Sequence, residues 1–465
     1  MIFIAGMSDV VHFFTKYFEE LSKGTERSLI YPLILKEVGF PTFLTLITTV
    51  VSFLSLLFSS MAPIRDFGIY TSVGIIIAFV LTYTLLPALL YFFTPKQLVK
   101  VHSHNNNTYN AMRTGLFWIF RNQKTIAIIT VVLIVLSVFG LTKIKTNNLL
   151  LDDLSDGIKI KQDFNFFDKE YSGVRPLELE IKIKATDKTI WDYSIIKQLN
   201  GLDEFVKKEY GAGFLYSPPQ IVKSIYKAID NEAKNNLPGE EDFNTIVKEL
   251  KANKKNKDIK RIISPDLKSA RVTAKIADMG SALVKGHNEK LKEYVKSNIN
   301  TNEIEVNING AAHLVDLNND YMVSNMMQWF GFSIFIIALL TYFLHRSWRM
   351  VLVFILPNVI PLLIMAGVMG FAGIELKSAT SLVFSIAFGV ATDDTIHFIS
   401  RLKIEMAYGK SLMYAFKRTY FETGKPILLT TFILMGGFIS LMISDFQSTF
   451  YFGFLICITI IIAVI

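Results

Sequence analysis

Long apolar runs with almost no charged residues limit what this chain can fold into. Each run has roughly the twenty residues that a helix needs to cross the hydrocarbon core of a bilayer. A bilayer offers the backbone no water, so such a run has to be a helix that satisfies its own hydrogen bonds. Hydrophobic residues make up 51% of the 465 residues and charged residues only 19%, which excludes an ordinary soluble domain. The predicted spans are 1–13 (the end of one span), 41–62, 69–93, 125–143, 327–344, 350–373, 378–400, 427–444 and 449–465.

Basic residues mark one side of the predicted membrane. The loop 94–124 carries five basic residues and no acidic one, and the positive-inside rule therefore places it in the cytoplasm. The basic loops 345–349 and 401–425 fall on the same side. The net charge of +8 then reflects orientation in the membrane and not a nucleic-acid surface. We expect a multi-pass protein of the inner (cytoplasmic) membrane with no nucleic-acid partner.

The polar segment 144–326 is predicted to fold as one extracytoplasmic domain. Residues 176–184 alternate apolar and polar side chains as a half-buried strand does, and 269–277 and 303–309 do so more weakly. Interleaved strands and helices predict an α+β domain with helices on one face of an open sheet. The helical patterns cover 157–171, 192–209, 219–229, 240–251 and 281–298.

Two features of this domain allow more than one interpretation. The basic run 251–261 is interpreted as a solvated loop. A set of aromatic residues could line a lipid-sized groove, although packing in the core is the interpretation we favour for each of them. The set consists of Phe164, Phe166, Phe167, Trp191 and Tyr216.

Signals for chemistry other than transport are weak. Cys457 lies in an apolar run and is assigned to packing. His102 and His104 lie beside three asparagines, which favours a polar linker over a metal site. The sequence has no nucleophile elbow, phosphate-binding loop or paired Cys ligands, so we expect neither an enzyme nor a cofactor or metal site.

Residues 386–465 align with residues 1–80 without a gap, at a constant offset of 385. Many of the coinciding residues are polar residues inside apolar runs. A repeat of this kind indicates a duplicated structure. The coinciding pairs include Asp9 with Asp394, His12 with His397, Gly24 with Gly409, Glu37 with Glu422, Gly39 with Gly424, Pro41 with Pro426, Thr45 with Thr430, Phe53 with Phe438 and Gly68 with Gly453.

A cluster of ionisable residues, Asp393, Asp394 and His397, lies in the seventh predicted span. A carboxylate inside a bilayer costs a few kcal/mol and persists mainly where it lines a pathway or pairs within the bundle. Asp394 and His397 are three residues apart and share a helix face, whereas Asp393 is turned by about 100°. We predict a proton relay, because a carboxylate beside an imidazole can take up and release protons. The alternative is a structural pair that holds helices together; recurrence at Asp9 and His12 favours the relay.

The pattern from Gly389 to Asp394, followed by Glu422-Thr-Gly424-Lys-Pro426-Ile-Leu-Leu-Thr430-Thr431 at the next span, resembles the resistance-nodulation-division (RND) superfamily in its MMPL and Patched-like branch. In that family two six-helix halves are related by an axis along the membrane normal, and each carries a large porter domain. The resemblance implies a membrane all-α bundle of parallel pseudo-repeats with an inserted extracytoplasmic α+β porter-like domain. It assigns 1–95 to the end of the fourth, the fifth and the sixth helices, 96–124 to a cytoplasmic basic linker, 125–143 to the seventh helix, 144–326 to the porter-like domain and 327–465 to the eighth to twelfth helices.

The resemblance also implies which residues act. Acidic residues of the fourth and tenth helices carry protons in that family, and they correspond here to Asp9, Asp393 and Asp394. We infer that His12 and His397, on neighbouring turns, are relay partners. The supporting polar residues in the helices are Thr45, Thr392, Thr430 and Thr431.

The first copy of the motif departs from the family pattern. Ile4 stands where glycine is expected and Ser8 stands in place of the first aspartate, so we expect the two copies to handle protons unequally. By the resemblance the chain begins inside the fourth helix and stops inside the twelfth, and we therefore expect a fragment or a mispredicted start.

The function implied is a proton-motive-force-driven exporter of hydrophobic or lipid-like substrates, with protons as the coupling ion. The expected partners are membrane lipids, the substrate, and either the missing N-terminal half or a second copy. Three alternatives stay open: a lipid or sterol sensor, an accessory protein for protein export with the same fold, and a non-functional gene fragment.

Overall fold

The computed structural model describes residues 2–59, 61–93, 106–230, 236–252 and 257–465. The chain divides into two compact units, one formed by Met1–Lys145 with Tyr321–Ile465 and the other by Thr146–Asp320. Part of the predicted linker, including His102 and His104, lies outside the described residues, as does 253–256 of the basic run.

The first unit is built from helices, as its apolar runs require. Short turns of other helix types join some of them: a π-helical turn at Leu35–Gly39 and 3₁₀ turns at Ser55–Phe58 and Ser440–Ile443. Numbered along the whole chain, the helices are α1 (Ile2–Ser22), α2 (Arg27–Ile34), α3 (Phe40–Leu54), α4 (Ala62–Tyr91), α5 (Asn106–Arg121), α6 (Gln123–Leu141), α13 (Ala311–His345), α14 (Trp348–Ala372), α15 (Ser378–Ala407), α16 (Leu412–Ile439) and α17 (Gln447–Val464).

Among the described residues, eight helical segments are long and apolar enough to cross a membrane, and the chain is a multi-pass membrane protein. Several helices extend beyond the predicted spans. α1 continues past residue 13 to Ser22, and the segment that was expected to start at residue 41 is helical from Arg27. Helical hydrogen bonding does not stop at the edge of the hydrocarbon, so an apolar run marks only the middle of such a helix.

The two copies of the sequence repeat form the same local packing where one helix turns into the next. A Cβ atom added to Gly68 would lie 2.7 Å from the Phe53 carbonyl oxygen, and one added to Gly453 would lie 2.6 Å from the Phe438 carbonyl oxygen. These distances are too short for any side chain. The coincidence of glycine at offset 385 therefore has a steric reason, since only glycine lets the backbones approach so closely.

Glycines also set the contact between α6 and α14. A Cβ atom on Gly370 would overlap the Gly140 carbonyl oxygen, and one on Gly367 would lie 2.6 Å from Ser137 Cα. Small residues at such a crossing let membrane helices pack backbone to backbone.

The second unit is an α+β domain with a small antiparallel sheet in the spatial order β2-β3-β1-β4. Alternate residues of β1 are buried, so one face of this sheet meets the helices and their core. The elements are α7 (Lys159–Glu170), β1 (Arg175–Ile183), α8 (Tyr193–Tyr210), β2 (Phe214–Tyr216), α9 (Pro218–Ile229), α10 (Glu240–Ala252), α11 (Lys257–Ile262), β3 (Ser269–Ile276), α12 (Ser281–Asn298) and β4 (Ile304–Asn309).

Two sequence interpretations of this unit are wrong in part. The basic run does not remain a loop, because Lys257–Ile262 forms α11, whose Ile262 is buried in the core.

Core packing holds for Trp191, which is 5% exposed, but Phe166 and Phe167 are 55% and 48% exposed. α7 has no buried residue, and its aromatic rings contact each other and Tyr171 instead. Phe164 is half-buried, and Tyr216 packs at the margin of the core.

Candidate functional site

Residues that are equivalent in the sequence repeat contact each other inside the helical unit. Ser8 on α1 donates a short hydrogen bond to Oδ2 of Asp393 on α15, its equivalent at offset 385. One turn along, the rings of His12 and His397 are stacked, with centroids 3.7 Å apart and planes inclined by 7°. The repeat thus brings a hydroxyl–carboxyl pair and an imidazole pair together.

This pair of contacts is buried and incompletely satisfied. Ser8, His12, Asp393 and His397 are each less than a tenth exposed. His397 Nε2 lies 3.5 Å from Asp393 Oδ1, which is long for a hydrogen bond. Within the described part of the chain, His12 Nε2, His397 Nε2 and Asp393 Oδ1 have no hydrogen-bond partner. Buried polar atoms are normally paired, so free ones mark a place where a proton or water can be taken up.

The structure alters one expectation about this cluster. The spacing predicted that Asp394 would share a face with His397 and that Asp393 would point elsewhere. Instead Asp393 contacts both Ser8 and His397, whereas Asp394 is half-buried and makes no hydrogen bond to any described residue. On a helix, residues three and four positions before a given residue both lie near it, so Asp394 and Asp393 can each approach His397. The packing of α1 against α15 decides that Asp393 is the one that contacts the imidazole.

Asp9 and the predicted threonines lie in the helical unit, but not all of them join this cluster. Asp9 is buried and makes no hydrogen bond within the described residues. The four threonines, all buried, donate to carbonyl groups of their own helices. Thr392 also lies 3.5 Å from the Thr48 hydroxyl on α3. The four threonines are Thr45, Thr392, Thr430 and Thr431.

A layer of ion pairs lies one turn beyond the imidazoles. Lys16 on α1 and Arg401 on α15, again equivalent at offset 385, approach the same carboxylate oxygen of Glu37. Glu37 Oε2 is 2.9 Å from Lys16 Nζ and 2.6 Å from Arg401 Nη1. Arg401 also pairs with Glu422, the repeat equivalent of Glu37. Glu37 therefore links the two copies of the repeat.

A further pair of equivalent acids completes this layer. Glu20 Oε1 lies 3.0 Å from Lys16 Nζ, and Glu405 Oε1 lies 2.8 Å from Arg401 Nη2, each four residues along its helix. Sequence reasoning missed Lys16, Arg401, Glu20 and Glu405. A signal was present, because Ser8, His12, Lys16 and Glu20 follow one another at intervals of four, as do Asp393, His397, Arg401 and Glu405.

A small cavity of about 50 Å³ lies between the imidazole pair and the ion pairs. His12 and His397 line one part of it, and Lys16, Glu37 and Arg401 line another. A polar cavity of this size can hold a few water molecules, since one water needs only about 10–15 Å³ by the same measure. The cavity therefore provides a polar route between two layers that are otherwise separated by one helical turn.

The fold and this site define a multi-pass helical membrane protein with ionisable side chains inside its bundle. The sequence model of the MMPL family matches residues 10–127 and 225–465, more than half of the chain. The chain therefore belongs to the MMPL family, which confirms the resemblance to the RND superfamily.

Two known proteins are similar to this chain, one in sequence and one in fold. The membrane protein MJ1562 of Methanocaldococcus jannaschii is 24% identical over 342 residues, which cover 70% of this chain and 83% of that protein. The crystal structure of SecDF, a translocon-associated membrane protein from Thermus thermophilus, matches with a TM-score of 0.56 and 13% identity. That match covers 99% of this chain and 51% of SecDF, so this chain spans about half the length of the SecDF chain. At this identity the likeness concerns the fold alone.

Proposed function

We propose that this protein is a proton-motive-force-driven exporter of hydrophobic or lipid-like substrates in the inner membrane. One observation carries the proposal: Ser8 with Asp393, and His12 with His397, bring the two copies of the repeat into contact through groups that can hold a proton. Asp9 and Asp394 lie next to this contact in the sequence. Ionisable residues inside a bundle are costly, and they are typical of proton pathways.

The proposed mechanism couples a proton to the packing of two parallel pseudo-repeats. A proton that crosses the membrane potential delivers about 2.3 kcal/mol per 100 mV. When Asp393 is protonated, its hydrogen bond with Ser8 is no longer charge-assisted and becomes weaker. This weakens the attachment of α1 to α15. α13 would transmit this change to the α+β domain, which we propose acts as a porter domain for substrate. No cofactor is required in this scheme.

The test is proton flux in liposomes that contain the purified full chain and a trapped pH dye. We expect Asp393→Asn and Asp394→Asn each to reduce flux driven by a pH gradient by roughly tenfold or more, within the range that loss of one proton-transfer group produces. Asp445→Asn is the matched control, because Asp445 lies between Ser440–Ile443 and α17, outside the helices. Unchanged flux in both Asp393→Asn and Asp394→Asn would contradict the proposal.

A second candidate function is an accessory role in protein export. The observation in its favour is the fold likeness to a translocon-associated protein, which is an argument by analogy because one fold serves many functions. The two candidates differ in cargo. An exporter should move an apolar dye out of proteoliposomes, whereas an export factor should leave the dye in place and change the secretion of a protein substrate. A passive lipid sensor should show neither effect nor proton flux.

A further inference from the structure

The ion-pair layer has a feature that the proposed relay does not explain: its pairing is unequal in the two copies. Arg401 contacts the acid of its own copy, Glu422, and also crosses to Glu37 of the other copy. Lys16 contacts Glu37 but, within the described residues, makes no ion pair with Glu422. If both copies behaved alike, a Lys16–Glu422 pair would match the Arg401–Glu37 pair.

The backbone around the two acids differs as well. Glu37 lies in the π-helical turn Leu35–Gly39, whereas Glu422 lies within the α-helical part of α16. A π-turn changes the direction in which its side chains point, and such turns are frequent at functional sites. Glu37 thus pairs with both Lys16 and Arg401 from a π-helical backbone, whereas the backbone at Glu422 is α-helical. The sequence alone does not show this difference, because Gly39 and Pro41 have counterparts in the second copy.

The Glu37–Arg401 pair also borders the cavity that reaches the imidazoles. Lys16, Glu37, Arg401 and Glu422 line it on the side away from the Ser8–Asp393 contact, in the direction of the helix ends that sequence charge assigns to the cytoplasm. At this position a closed ion pair would separate the imidazole pair from water beyond it. An open pair would let water enter.

We propose that the Glu37–Arg401 ion pair is a cytoplasmic gate that controls the access of water and protons to His12 and His397 through this cavity. The inference rests on the proposed proton-driven function. In the open state a Lys16–Glu422 pair replaces the Arg401–Glu37 pair, while Lys16 keeps Glu37 and Arg401 keeps Glu422. Removing one partner of a buried ion pair is costly because it leaves a charge uncompensated, and this exchange leaves no charge in the layer without a partner.

The proton step balances without any other reactant. A protonated imidazole gives its proton to a water molecule in the cavity and becomes neutral. The hydronium ion then leaves past the open pair, and one positive charge reaches the cytoplasm. The cavity volume allows on the order of three waters, which is enough for a short hydrogen-bonded chain.

Thiol accessibility tests the gate without relying on transport. In a Cys457→Ala background, which removes the single native cysteine, Thr15→Cys places a thiol in the cavity lining. The full chain in inverted membrane vesicles is treated with a membrane-impermeant, positively charged methanethiosulfonate. We expect slow labelling of Thr15→Cys, and labelling about tenfold faster when Glu37→Gln is added, because a neutral side chain at residue 37 no longer links Arg401 to Lys16 through ion pairs.

Two controls make this result specific. Ser52→Cys lies at a fully buried position on α3 and should label slowly with or without Glu37→Gln. Glu422→Gln removes a charge from the same layer but keeps the Glu37–Arg401 pair and takes away the open-state partner of Lys16, so it should not increase the rate for Thr15→Cys. Size-exclusion profiles and reaction of denatured samples check that each variant is folded and carries its thiol.

The outcomes separate the gate from the relay. The gate is wrong if Glu37→Gln leaves the Thr15→Cys rate unchanged, or if Glu422→Gln increases it as much as Glu37→Gln does. The relay is wrong if Asp393→Asn and Asp394→Asn leave proton flux unchanged, whatever the labelling shows. Faster labelling with Glu37→Gln, together with a proton flux that the aspartate variants do not affect, would identify a water gate in a protein that does not use these aspartates for protons.

Discussion

A buried carboxylate in the α+β domain leads to a quantitative prediction about pH and stability. Asp203 on α8 is 1% exposed and accepts hydrogen bonds from Ser217 Oγ at 2.5 Å and from Gln220 Nε2 at 3.3 Å. Its Oδ1 is buried without a partner among the described residues. Burial raises the pKa of Asp203 from 3.8 to about 6, although both hydrogen bonds oppose the shift.

The sign and size of the effect follow from this pKa. Because the folded state holds the proton more tightly than the unfolded state, the group favours folding at low pH, and this contribution is lost as pH rises from about 4 through 6. A shift of this size corresponds to about 3 kcal/mol in the free energy of unfolding. Asp203→Asn should remove this pH dependence, since its side chain is neutral throughout. The buried Asn NH₂ group costs about 1–3 kcal/mol if it stays unpaired, which lowers the net gain at neutral pH but not the change in pH slope.

Hydrogen exchange measured by mass spectrometry on the intact protein gives the required free energies. Peptides from α8 are compared between wild type and Asp203→Asn at pH 5 and pH 7.5, so that intrinsic exchange rates cancel at each pH. We expect the variant to gain protection relative to wild type on going from pH 5 to pH 7.5, by more than 1 kcal/mol. An equal difference at both pH values would refute the argument that Asp203 is protonated by burial in the native state.

Two other substitutions test packing and buried charge. Gly370→Ala places a Cβ atom on a backbone oxygen of α6 and should lower the free energy of unfolding by about 1–3 kcal/mol. The measurement is the melting temperature in detergent, which should fall. Gly436 has open space around it, so the control Gly436→Ala should be neutral or slightly stabilising. Arg175 is buried and donates to the carboxylates of Asp278 and Asp316. Arg175→Met should therefore cost about 3–5 kcal/mol in the α+β domain and lower its hydrogen-exchange protection, and a loss below 1 kcal/mol would contradict the charge argument.

Several local features were predictable because they depend on neighbouring residues. The strands at 176–184, 269–277 and 303–309 were placed within one or two residues of β1, β3 and β4, because alternation of polarity is a direct consequence of strand geometry. The three-residue strand β2 was missed, since so short a segment carries no periodic pattern. The exposed Phe166 and Phe167 were misjudged because aromatic residues are usually buried, and sequence does not say when a helix lacks a partner.

The sequence predicted part of the membership of the candidate site but not its contacts. The motif and the repeat predicted Asp9, His12, Asp393, Asp394 and His397. Of these five residues, the structure brings His12, Asp393 and His397 together. Neither the motif nor the repeat gave the contact of Ser8 with Asp393, because this contact depends on how α1 turns about its own axis when it packs beside α15. Ser8 even counted as a departure from the motif, although it is the hydrogen-bond partner of Asp393.

The sequence by itself determined that this chain crosses a membrane, that it carries an α+β insert and that two of its segments repeat at an offset of 385. These properties follow from the length of the apolar runs, the local periodicity of polar residues and the identity of individual residues, all of which are contained in the linear sequence. Only the tertiary structure decided that equivalent residues of the repeat touch, that Glu37 bridges Lys16 and Arg401, and that a cavity joins the imidazoles to the ion pairs. Contacts between residues hundreds of positions apart depend on helix rotation and crossing, and the spacing of residues on a single helix leaves both undetermined.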